Sequence, residues 1–105
     1  AGQMLDVEAY QQKLAQMPNA QLVDVRTAPE FAEAHLPNAA NIDVKQSSFQ
    51  DLAAKLDKSK PVFVYCKMGS RSTKAAEILT GMGFTEVYNL KGGITDWTAA
   101  GKPIE

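Results

Sequence analysis

The sequence predicts an α/β fold, a central and mostly parallel sheet with helices on both faces. Three observations carry that prediction. Short apolar, β-branched runs alternate along the chain with stretches of helical periodicity. Strand–helix alternation of this kind builds a parallel sheet, because each crossover lays its helix on a sheet face. The helical stretches also carry start and stop residues where helices need them.

The elements follow in order. Asp6 is placed to cap a helix through about Gln16, with Val7, Tyr10, Leu14 and Met17 on its apolar side. Pro18-Asn19 marks a turn, and Gln21 to Val25 reads as a strand. Thr27-Ala28-Pro29-Glu30 has the form of a capping box, with a short helix running on to about Ala34. Pro37-Asn38 is a second turn before a brief strand from Ala39 to Ile42. Ser47 or Ser48 caps a helix with Phe49, Leu52, Ala53 and Leu56 on one side. Asp57 to Lys60 is a polar loop, and Pro61 to Tyr65 is a buried strand. Thr73 to Met82 reads as a helix whose Ala75, Ile78, Leu79 and Met82 share a face, and Gly83 ends it. Glu86 to Asn89 is the last strand, and Gly92-Gly93 a flexible turn into a short helix around Trp97.

A chain of 105 residues is enough for one domain with one core, taken as residues 1–105. A net charge of -1 argues against nucleic acid or an anionic membrane as partner. No apolar run approaches the roughly 20 residues that span a bilayer. A single cysteine excludes an internal disulfide and a Cys-based zinc cluster, and a single histidine excludes a multi-His site. These counts lead us to expect no metal cluster of either kind. The chain opens Ala1-Gly2 without an initiator Met, as an expression scar, a processed N-terminus or an excised domain would. A cytoplasmic monomer is expected, or a periplasmic or exported one if Ala1 is a processed N-terminus.

The one cysteine, Cys66, stands where the strand from Pro61 ends and a helix is about to begin. The first N–H groups of a helix lack intrahelical partners, and the helix dipole adds positive charge there. A thiolate is an anion and is stabilised in such a place. Lys67 and Arg71 flank it, and Gly69 permits positive φ, so successive N–H groups can converge on the sulfur. A lone cysteine at a strand end is otherwise a small buried apolar residue. The glycine and the two cations favour the nucleophile. In such sheets, ligands bind outside the carboxyl ends of the strands, which independently puts Cys66 in a cleft.

Cys-x-x-Gly-x-Arg after a hydrophobic strand resembles the active-site loop of the rhodaneses, the thiosulfate-type sulfurtransferases. Leu22-Val23-Asp24-Val25-Arg26 with Glu30-Phe31, then His35-Leu36-Pro37-Asn38-Ala39 with Asn41-Ile42, resembles that family's first signature. Gly92-Gly93 with Trp97 and Gly101-Lys102-Pro103 resembles its C-terminal end. The resemblance runs from Leu22 to Ile104. It implies a rhodanese-like fold with a five-stranded sheet and a sulfurtransferase working through a Cys66 persulfide, with no metal and no cofactor required. Thiosulfate or a persulfide would be the donor, and a thiol or cyanide the acceptor, with a thioredoxin-like or other sulfur-accepting protein as a further partner.

On this reading Lys67, Met68, Gly69, Ser70, Arg71 and Ser72 bind substrate. Their N–H groups would stabilise the anionic persulfide, and Arg71 or Lys67 would attract thiosulfate. Ser70 and Ser72 hydroxyls could donate to the sulfur, and Ser72 serves equally as a helix cap. Asp24 and Arg26 are expected to form an ion pair, joined by Glu30, that braces the loop. His35 is expected to be structural and Trp97 part of the core. Two alternatives stay open: a non-turnover sulfur-carrier or regulatory module, and a cysteine phosphatase or arsenate reductase. The latter enzymes use Cys-x₅-Arg, whereas only four residues separate Cys66 from Arg71. The shorter loop suits one sulfur atom better than a tetrahedral phosphate, and small misfits in such sites are costly.

Overall fold

The computed structural model describes Gly2–Glu105; Ala1, and with it the question of a processed N-terminus, lies outside the described residues. The elements are β1 (Gln3–Leu5), α1 (Val7–Gln16), β2 (Gln21–Asp24), α2 (Ala28–Glu33), β3 (Ala40–Asn41), α3 (Phe49–Ala53), β4 (Val62–Tyr65), α4 (Ser70–Gly81), β5 (Val87–Leu90) and α5 (Gly93–Ala99). The five strands form one sheet in the order β1-β5-β4-β2-β3, and every pairing is parallel.

Successive residues of a strand point to opposite faces, and here both faces are buried. Val23, Val62, Val64 and Val87 pack under α3 and α4 with Phe49, Ala53, Ala75, Ala76 and Leu79. Leu22, Phe63, Tyr65, Tyr88 and Leu90 pack under α1 and α5 with Tyr10, Ile94 and Trp97. Tyr10 sits edge-on to both Phe63 and Trp97, and its hydroxyl donates to the Val64 carbonyl at 3.1 Å. That bond satisfies the one polar atom of a fully buried ring.

The capping signals act as expected at α1, where the Asp6 carboxylate accepts from the Ala9 N–H at 2.9 Å. At α3 no side chain caps the helix, and Leu52, expected on the apolar face, is exposed because the helix closes after little more than one turn. α4 begins at Ser70, earlier than its periodicity suggests, and Gly83 follows it at φ 106°. β1 has no counterpart among the expected strands; it adds to the edge beyond β5, and the Lys91 N–H donates to the Leu5 carbonyl at 2.8 Å. No helix among the described residues is long and apolar enough to cross a membrane.

Parallel register sets Asp24 beside Tyr65 and Val64 beside Asn89. The loops that leave β2, β4 and β5 therefore open on one edge of the sheet. Arg26, Cys66 and the Gly92-Gly93 turn meet there.

Candidate active site

β4 is buried along its whole length, and Cys66 is the first residue beyond it, 1% exposed. The chain then turns through Gly69, the residue before α4, at φ 121°, a conformation that only glycine adopts readily. This turn aims the Gly69 N–H at the Cys66 sulfur, 3.0 Å away. The Ser72 hydroxyl, one turn into α4, lies 3.4 Å from the same sulfur. Burial pushes the Cys66 thiol up, but the Ser72 hydroxyl and the N–H groups of Ser72, Gly69 and Met68 outweigh it and hold the thiol below its ordinary pKa. Hydrogen bonds, rather than the flanking cations, do most of this.

The opposite face of the loop is fixed from α5. The Cys66 carbonyl accepts from the Ile94 N–H at 2.9 Å, and the Lys67 carbonyl accepts from the Thr95 N–H at 3.1 Å. These are donors of the first turn of α5, which have no partner within their own helix. With its carbonyls taken on one side, the loop presents its N–H groups on the other. Gly93, at φ 59°, makes the close approach possible; a Cβ there would fall on the carbonyl oxygens of Cys66 and Lys67. The Gly92-Gly93 pair is thus a fixed docking point, not the flexible turn its composition suggests.

Arg71 does not stand free. Its guanidinium donates twice to Glu30, with Nη1 to Oε1 at 2.7 Å and Nη2 to Oε2 at 3.0 Å. Glu30 was expected to join Arg26, but Arg26 is already satisfied: its Nε and Nη2 grip the buried Asp24 carboxylate, with Nη2 to Oδ2 at 2.7 Å, and Nη2 also donates to the Ala34 carbonyl. The two acids therefore serve two different arginines. The Arg71 guanidinium holds the Glu30 carboxyl down to about 2, with Thr27 adding its own hydrogen bonds against the cost of burial. Thr27 donates to Glu30 from both its N–H and its hydroxyl, so the capping-box residues also orient the clamp.

The remaining candidates divide around the loop. Lys67, Met68 and Ser70 are exposed, Met68 to 70%. Lys67 lines a groove of about 350 Å³ with Glu30, Glu33, Ile94 and Thr98. Ser70 and Arg71 line another of about 430 Å³ with Val44, Lys45 and Lys74. His35 is structural, stacked on Phe31 with Nδ1 2.9 Å from the Phe31 carbonyl. Trp97 is core, and its indole N–H donates to the Pro103 carbonyl at 2.8 Å. Sequence reasoning missed the Glu30–Arg71 clamp and the role of Gly93. Both join residues far apart in the chain, and only the glycine pair left a local sign.

A family model described as "Rhodanese-like domain" matches residues 6–100. A sulfurtransferase of Allochromatium vinosum is 34% identical over 100 residues, covering 95% of this chain and 92% of that protein. The thiosulfate sulfurtransferase GlpE of Pseudomonas savastanoi is 42% identical over 80 residues, covering 76% of this chain and 74% of that one. Among solved structures, the rhodanese-like domain of the Anabaena Alr3790 protein superposes with a TM-score of 0.86 at 25% identity, covering all of this chain and 80% of that one. The match across nearly the whole chain, with the shared sheet and helices, establishes that the protein belongs to the rhodanese-like sulfurtransferase family.

Proposed function

We propose that the chain moves sulfane sulfur from thiosulfate or a persulfide donor to a thiophilic acceptor through a persulfide on Cys66. One observation carries this reading: a lone, acidified thiol with the Gly69 N–H on its sulfur at 3.0 Å. The thiolate attacks the outer sulfur of thiosulfate. A new S–S bond forms, the bond between the two thiosulfate sulfurs breaks, and sulfite leaves with its electron pair. The enzyme then holds Cys66–S–S⁻, whose negative charge occupies the bowl of loop N–H groups. An acceptor such as cyanide or a thiolate attacks the terminal sulfur and leaves with it, and the Cys66 thiolate is restored. The products are thiocyanate or a new persulfide.

Met68, Gly69, Ser70, Arg71 and Ser72 contribute backbone donors to this bowl, and Ser72 adds its hydroxyl. Lys67, exposed at the rim, supplies unbalanced charge for an anionic donor. Arg71 shapes the loop through Glu30 and adds less net charge than its type suggests. A thioredoxin-like or other sulfur-accepting protein is the natural physiological acceptor for a persulfide carried on an exposed loop. Intact mass after treatment with thiosulfate tests the reading: the protein should gain one sulfur atom, and cyanide should remove it as thiocyanate. Cys66→Ser should neither gain the sulfur nor turn over, while its far-UV circular dichroism is unchanged. Turnover retained in Cys66→Ser would reject the assignment.

A further inference from the structure

The Gly69 carbonyl sits under the sulfur-binding loop and is crowded with donors. It accepts from the Ser72 hydroxyl at 3.1 Å, the Thr73 N–H at 3.1 Å and the Thr73 hydroxyl at 2.8 Å. Ser72 has one hydroxyl proton and two claimants for it. While Cys66 is a thiol, its S–H points at Ser72 Oγ, and Ser72 spends its proton on Gly69. Once Cys66 is a thiolate or carries a persulfide, the sulfur has no proton to give, and Ser72 must turn its own toward it. The Gly69 carbonyl then depends on Thr73.

Thr73 is itself directed. The Asn89 amide Nδ2 donates to Thr73 Oγ1 at 3.1 Å, which occupies the oxygen's accepting side and leaves its proton for Gly69. Asn89 is the one polar residue of β5, 3% exposed between Tyr88 and Leu90, and its Oδ1 has no partner. A buried amide satisfied on one side only costs folding stability. Its single bond leads to the active-site loop.

We propose that Thr73, directed by Asn89, is a positioning residue that takes over the Gly69 carbonyl and so frees the Ser72 proton for the sulfur. The proposal rests on the sulfurtransferase reading for its purpose, but its test does not require sulfur transfer. The rate of Cys66 alkylation by iodoacetamide is followed against pH. The charged groups about the loop are Lys67 and Arg71 on it, Lys74 of α4, Arg26 after β2, Glu30 and Glu33 of α2, and Asp43 and Lys45 after β3, and all are common to every variant.

Thr73→Val should raise the apparent thiol pKa by about 0.4 to 1, the value of one hydrogen bond. Thr73→Ser should restore the wild-type profile. In a Ser72→Ala background Thr73→Val should add nothing, because its effect passes through Ser72. Asn89→Leu should raise the pKa in the same direction without lowering the melting temperature, since it also removes the orphan oxygen. An unchanged profile for Thr73→Val, or an equal shift with and without Ser72, would overturn the proposal. If Asn89→Leu alone left the profile unchanged, the part assigned to Asn89 would fall.

Discussion

Replacing Glu30 with glutamine keeps the shape of the side chain and removes half of the clamp on the loop. The wild-type carboxyl falls from an ordinary 4.5 to about 2, chiefly through the two hydrogen bonds from Arg71, with Thr27 helping and burial opposing. That fall is worth about 3 kcal/mol. The two side chains are 30% and 21% exposed, and solvent screening brings the figure to about 2 kcal/mol. For a domain of this size the melting temperature should drop by about 8 °C at neutral pH. The sign with pH is fixed by the direction of the perturbation. A carboxyl with a depressed folded-state pKa stabilises fully above its unfolded value, and the benefit is lost as pH falls toward the folded one. Urea denaturation of both proteins between pH 7 and pH 3 should show a constant gap down to about pH 5. About half of the gap should have closed by pH 3. A gap that is absent at pH 7, or that keeps its full size at pH 3, would refute the assignment of this energy to the Glu30–Arg71 pair.

The same pair changes what Arg71 should do in catalysis. Arg71→Ala is expected to slow sulfur transfer from thiosulfate and from an uncharged persulfide donor to similar extents, because it disorders the loop. Lys67→Ala should instead raise KM for thiosulfate alone, with an effect that fades at high salt, as expected of an exposed charge; steady-state kinetics with both donors separates the two. Gly93→Ala should cost at least about 2 kcal/mol and depress turnover, since it combines a left-handed backbone with a collision on two carbonyls. Thermal melts and thiocyanate production would show it, and wild-type values in both would disprove the docking role given to α5.

Strong local chemistry made most of this molecule legible from its residues. Asp6 caps α1 as its type and place require, and the apolar run into Cys66 could only be a strand entering a helix. The candidate nucleophile and the glycine that shapes its loop were visible for the same reason: both follow from backbone rules within a few positions. β1 was not visible. Its three residues show no alternation; pairing with β5 sets their line, and Leu5 packs against the core. Leu52 followed helical spacing in a helix too short to bury it. Glu30 was assigned the wrong arginine because the nearer one in sequence was already satisfied by Asp24. Choice among charged partners depends on which of them the fold brings close, and periodicity does not encode that.

The bonds from α5 to the carbonyls of Cys66 and Lys67 also order events in time. Synthesis proceeds from the N-terminus, so Cys66 leaves the ribosome before the helix that completes its loop. Until α5 docks, the carbonyls of Cys66 and Lys67 lack the donors that hold them, and only the Gly69 turn at the start of α4 aims an N–H at the sulfur. The thiol of such a chain is expected to be less acidic than that of the assembled one, with less thiolate to oxidise. On the proposed function, the last helix of the sheet's second face completes the support of the loop. The loop that serves the sulfur on that proposal is complete only in the assembled chain, after α5 has docked.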